Sequence, residues 1–163
     1  MIFEEFVRSD LPGLSRFAAV LCGDRWLAED VVQEVLARAQ GRWTTIAALD
    51  RPDAYVRRMI VNEFLSWRRR LRRNVLMSSV PELPSTADLA AQHADREALV
   101  AELAKLPRKQ RAVIVLRYYG GLSDREIAAD LGCSAGTVRS HASRALARLR
   151  VEMYPVPTLV EEL

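Results

Sequence analysis

Hydrophobic positions along this chain recur at helical spacing, and the breaks between runs fall at Gly, Pro and Ser. Phe3, Phe6 and Val7 open an amphipathic helix that Pro12 and Gly13 are expected to interrupt, and Leu14, Phe17, Ala18 and Leu21 carry a second. Gly23 breaks the pattern and Asp24 is a good cap. The next helix runs from Arg25 to about Gln40, with Leu27, Val31 and Val35 in one apolar row and Ala28, Val32 and Leu36 beside it. Gly41 ends it, and Trp43–Ile46 precede a turn at Asp50–Asp53. A long helix from about Asp53 to Arg73 places Val56, Ile60, Phe64, Trp67 and Leu71 on one stripe. From about 74 to 94 the helical period disappears while Ser, Pro, Thr and Asp accumulate, as in a linker. About twenty such residues reach ~65–70 Å when extended but only ~25 Å as a relaxed coil. Beyond them Leu99, Leu103 and Leu106 mark a helix ended by Pro107, and a further helix to Tyr119 turns Val113 and Leu116 inward. The expected fold is all-α: two small helical domains, 1–74 and 95–154, a flexible linker at 75–94 and a tail at 155–163.

The densest pattern lies between Leu122 and Arg150. Ser123 followed by Glu126 is a capping box. Ile127, Ala128 and Leu131 then fall at helical spacing, Gly132 tolerates the positive φ of a sharp stop, and Ser134 can cap a second helix. On that helix Val138, Ala142, Ala145 and Leu149 share one face, while Thr137, Ser140 and Arg144 lie opposite, flanked by Arg139 and Ser143. An apolar seam beneath small polar residues and arginine suits a recognition helix in a major groove, where Arg reads guanine edges and Ser or Thr reaches bases and phosphates. The bland alternative is an ordinary solvated face; the two caps and the small Ala128 and Gly132 between the helices favour DNA. The motif does not by itself separate a repressor from any other groove reader.

Charge sharpens this picture through its distribution. The formal net charge is only +3, with a pI near 9.2, and of the 24 basic residues all but Lys105 and Lys109 are arginine. Trp67–Arg73 reads WRRRLRR, and the outer face of that helix shows Arg58, Asn62, Ser66, Arg69 and Arg73, a footprint for backbone phosphates. An acidic lipid surface is the alternative, but the apolar stripe is needed for a bundle core and no second anchor is present. The helix from Arg25 to Gln40 differs: Asp30, Gln33, Glu34 and Ala37 form an acidic and amide face that would repel phosphates. It should meet something basic that is not nucleic acid, unless it is merely solvated, with Glu29 and Asp30 favouring the helix N-terminus. Cys22, Cys133, His93 and His141 are isolated in sequence, so neither a metal site nor a cofactor is expected. No nucleophile–base pair or phosphate-cradling loop supports an enzyme. No apolar run is long enough to span a bilayer and the N-terminus is acidic, so the expected location is the cytoplasm, without membrane insertion.

In combination these segments resemble a bacterial RNA polymerase sigma factor of the two-domain extracytoplasmic-function (ECF) type. LAEDVVQEVLARA at Leu27–Ala39 resembles the family's core-polymerase-binding helix, and AYVRRMIVNEFLSWRRR at Ala54–Arg70 its −10-reading helix. LPRKQRAVIVLRYYGGLSDREIAADLGCSAGTVRSHASRALARLR resembles its domain 4, and Phe3–Phe6 with LAEDVVQE resembles the actinobacterial SigE-like subgroup. The resemblance implies that core RNA polymerase and promoter DNA are the partners, and that an anti-sigma factor is the usual further one. It also implies that Asp30, Gln33 and Glu34 contact polymerase, where the family meets a basic coiled coil. Asn62 and the segment Trp43–Asp50 would hold a flipped base of the −10 element, with Arg58, Arg69 and Arg73 on phosphates. Thr137, Arg139, Ser140, His141 and Arg144 would read the −35 element. Where primary members of the family present an aromatic pair for strand separation, this chain has only Trp67, on the core stripe. Opening about ten base steps costs on the order of 14 kcal/mol, whereas capturing a base returns only ~1–3 kcal/mol, which suits a polymerase subunit better than an autonomous regulator.

Overall fold

The computed structural model describes residues 1–74 and 91–153, with side chains for 1–67 and 96–149. A first unit packs α1 (Phe3–Cys22), α2 (Arg25–Gln40) and α4 (Pro52–Asn74) side by side, with the short α3 (Trp43–Ala47) beneath the start of α1. The second contains α5 (Ala91–Lys105), α6 (Arg108–Ile114) running into a π-helical turn (Val115–Tyr119), α7 (Asp124–Leu131) and α8 (Ala135–Met153). The described residues are helical or connecting, as the all-α reading expects, and contain no strand. Helix α5 begins at Ala91, inside the stretch read as linker, and 75–90 and the tail 155–163 lie outside the described residues.

The expected break at Pro12 does not occur, because α1 runs through it without interruption. A proline inside a helix costs about 3 kcal/mol, but each large side chain fully buried returns roughly 1.5–3 kcal/mol. Phe6, Leu14, Phe17 and Leu21 are all buried along one continuous stripe, so burial outweighs the lost hydrogen bond. The helix stops at Gly23, whose φ of 67° is left-handed and whose N–H donates to Ala19 O at 3.0 Å. Asp24 then caps α2 by accepting from the N–H groups of Trp26 and Leu27, at 2.8 and 3.2 Å.

Val31 and Val35 of α2 and Val56, Ile60 and Phe64 of α4 complete the core of the first unit. That core does not end at the unit's edge: Ala112, Val113, Val115, Leu116, Ile127, Val138 and Ala142 continue the same cluster. A smaller cluster of Leu103, Leu106, Ile114 and Ala145 receives Val20 from α1. Leu99 is 41% exposed, because α5 turns Leu103 and Leu106 to this contact instead.

Candidate nucleic-acid interface

Helix α7 starts as its sequence pattern requires. Ser123 Oγ accepts from the Glu126 N–H at 3.3 Å, and Glu126 Oε2 accepts from the Ser123 N–H and hydroxyl at 2.7 and 2.8 Å. Gly132, at φ 65°, reverses the chain, and Ser134 Oγ accepts from the Thr137 N–H at 3.1 Å to start α8. Arg117 ties the π-helical turn to the first turn of α7 through Asp124, its Nε donating at 3.0 Å. Val138, Ala142 and Ala145 are buried beneath α8. Thr137, Arg139, Ser140 and Arg144 are exposed together, in the form of a recognition helix. His141 is half-buried with Nδ1 unpartnered among the described residues; burial, then Arg144 and Lys109, push its pKa down. It is therefore neutral at pH 7.

Ser123→Ala should lower stability by about 1 kcal/mol in thermal unfolding, the usual cost of a lost cap. The Ser123 N–H and hydroxyl hold the Glu126 carboxyl below its ordinary range. A depressed carboxylate contributes stability above its unfolded pKa and loses it as pH falls through its folded one. The gap between wild type and Ser123→Ala should therefore narrow in acid; a gap that widened there would contradict the capping box.

Asp30, Gln33 and Glu34 are exposed together on α2. Glu34 is shared with Arg38, Nε to Oε1 3.5 Å, and Arg38 also pairs with Glu63 of α4, a carboxylate only 4% exposed. The acidic face is thus carried on a helix clamped to its neighbour. On α4, Arg58 and Asn62 are exposed, and Arg58 Nε lies 3.7 Å from Asp130 Oδ1 of α7. Burial raises the Asp130 pKa, and Arg58 opposes that shift. Arg69 and Arg73 lie in the last turns of α4, with side chains outside those described.

Trp43 sits differently from a base-contacting residue. It is 9% exposed, its Nε1–H donates to Met1 O at 3.1 Å, and its ring meets Phe3 and Phe6 at 5.3 and 4.7 Å. In this structure it belongs to the core, because an indole brings more area to α1 than any other residue of α3. Its neighbours Thr44 and Thr45 are the exposed ones. Trp67 is half-buried, with the Arg108 guanidinium 5.3 Å from its ring centre. Sequence reasoning overlooked Arg108 and Arg111, which join the two units. The available signal was Arg111 at the edge of the apolar run AVIVL, where a charge must find buried partners.

Residues 6–74 match Sigma-70 region 2 and residues 96–149 match Sigma-70, region 4. The RNA polymerase sigma-E factor of Streptomyces coelicolor is 46% identical over 152 residues, which is 93% of this chain and 85% of that protein. The chain belongs to the sigma-70 family. Within it the protein is an ECF sigma factor: the ECF sigma factor SigL of Mycobacterium tuberculosis is 40% identical over 150 residues, 86% of this chain and 82% of its own length. The solved structure of the sigma factor RpoE with the anti-sigma factor NepR from Bartonella quintana superposes on this sigma factor with a TM-score of 0.75. The match is 32% identical and covers 95% of this chain and 98% of that one. The sigma factor accordingly binds core RNA polymerase and directs it to promoters. No helix among the described residues is long and apolar enough to cross a membrane.

Proposed function

We propose that this sigma factor divides promoter recognition between its two helical units. Residues 1–74 bind core polymerase and read and open the −10 element, and residues 95–154 read the −35 element. Asp30, Gln33 and Glu34 meet a basic surface of the polymerase; Arg58, Arg69 and Arg73 follow phosphates; Asn62 holds a flipped base with the exposed Thr44 and Thr45, which Trp43 supports from the core. Thr137, Arg139, Ser140 and Arg144 enter the major groove, with His141 neutral at their edge. The observation that carries this reading is the exposed acidic face of α2 in a chain whose candidate DNA faces are arginine-bearing, since one surface cannot serve both a phosphate backbone and a cationic protein. The factor acts in the cytoplasm beside the polymerase and performs no catalysis of its own. An anti-sigma protein is its proposed regulator, because RpoE and CnrH, the latter similar at a TM-score of 0.59 and 26% identity, were each solved with one.

The test is reconstitution with core polymerase free of other sigma factors, followed by transcription from fragments of the source genome. Failure to bind core would sink the reading. Arg144→Ala should cost about 1–3 kcal/mol of discrimination at one position of the −35 element, measured by competition between matched and mismatched duplexes. Core association should stay unchanged; its loss would show that the division of labour is wrong.

A further inference from the structure

We infer that Trp26 is the aromatic anchor of the polymerase-facing surface of α2, its indole face receiving a basic side chain of the core enzyme. This role deepens the assignment of α2 to core polymerase and rests on it. Trp26 is 62% exposed, and among the described residues it is the one large apolar side chain exposed on this helix. Its indole makes no hydrogen bond or ring contact among the described residues. Its backbone, by contrast, is fixed, because the Trp26 N–H donates to the Asp24 cap at 2.8 Å. A ring of this size, left in water on a rigid first turn, is the kind of group that a partner covers.

Helical geometry decides which partner. At about 3.6 residues per turn, Asp30, Gln33 and Ala37 fall within about 40° of Trp26 around the helix axis, and Glu34 within about 80°. All of these residues are exposed. The ring therefore stands in the middle of the acidic and amide face, one turn before Asp30. A basic surface that meets this face comes within reach of Trp26 as well.

Magnitudes give the ring its part in binding. An exposed ion pair is worth at most about fivefold in a binding constant. The face offers two acids, Asp30 and Glu34, and Glu34 is already shared with Arg38. Charge of this kind steers and orients a partner more than it holds it. Affinity comes instead from a few buried anchors, among which Trp is enriched. A cationic side chain over the indole serves both ends: the negative face of the ring attracts the charge while the ring leaves water. The chemistry of the partner follows, an arginine or lysine beside an apolar patch, and not a phosphate, which the same ring face would repel.

Competition between full-length variants and a labelled sigma factor for core polymerase tests the anchor. Trp26→Ala should weaken core affinity about 30-fold, the loss typical of an interface hot spot. Its thermal midpoint should hardly move, since the ring is exposed and the cap bond to Asp24 uses the backbone. A loss under about fivefold, no more than one exposed ion pair supplies, would overturn the anchor. The loss should be the same at low and high salt, because a desolvated contact is screened little. A loss that vanished in high salt would overturn it too, as Trp26 would then act only through its acidic neighbours. Trp26→Phe should bind at least about threefold more tightly than Trp26→Leu, which keeps apolar area without a π face. Equal binding by these two would remove the cation from the contact. Asp30→Lys separates the anchor from the assignment of α2. If that variant loses core binding while Trp26→Ala keeps it, α2 faces polymerase and the anchor is wrong; if both keep it, α2 does not face polymerase. If Trp26→Ala keeps core affinity but dissociates a dimer of the free protein in sedimentation, the ring belongs to a second copy and the anchor is wrong.

Discussion

Replacing Arg111 with alanine is expected to lower the unfolding free energy by about 3–5 kcal/mol, read as a fall in the urea midpoint followed by far-ultraviolet circular dichroism. The guanidinium is buried, and its four carbonyl partners belong to the ends of two helices, of which α1 has no basic residue in its own last turn. Burial, then Arg108, pull its pKa down, but a guanidinium stays charged at neutral pH. Each hydrogen bond to a charged group contributes about 1.5–3 kcal/mol, and an unsatisfied buried carbonyl costs about 1–3 kcal/mol, partly offset where water enters the cavity. Against a typical total of about 5–15 kcal/mol, this is a large fraction. Arg111→Lys should recover only part of it, because an ammonium cannot fork between two helix ends as a planar guanidinium does. A loss below ~1 kcal/mol for the alanine variant would mean that water replaces these bonds without penalty.

Asp30→Lys should reduce affinity for core polymerase at least ~100-fold, since placing like charges across an interface costs several kcal/mol. Asp30 is exposed and makes no ion pair among the described residues, whereas Glu34, one turn on, is shared with Arg38. Reversal at Asp30 therefore changes the charge of the face without disturbing the Arg38–Glu63 clamp that fixes α2 to α4. The thermal midpoint should hardly move, because a surface change of this kind costs within about 0.5 kcal/mol. Binding would be followed by competition with a labelled sigma factor for core enzyme at several salt concentrations. The wild-type affinity should weaken with salt as exposed charges are screened, and the variant should lack much of that dependence. Full core binding by Asp30→Lys would remove the acidic face from the interface.

How much of this was legible beforehand depended on how far apart the interacting residues are. The helix-turn-helix was readable to its caps, because Ser123, Glu126, Gly132 and Ser134 act on backbone groups within a few positions of themselves. The exposed acidic face of α2 was readable for the same reason: helical period alone places Asp30, Gln33 and Glu34 on one side. Pro12 misled, because its local cost is visible in the sequence while the burial of Phe6 and Phe17 that outweighs it is not. The packing of Trp43 was hidden in a related way, since its ring meets Phe3 and Phe6, some forty positions earlier.

By itself, then, the sequence determined the helices, their caps and the sign of charge on each face, all set by interactions along one element. Only the tertiary structure decided that the two units share a core and that Arg111 closes the end of α1. A guanidinium on a helix can satisfy any nearby set of carbonyls; that it takes those of Leu21 and Cys22, some ninety residues away, follows from how apolar faces of α1, α4 and α6 pack, which no local spacing encodes.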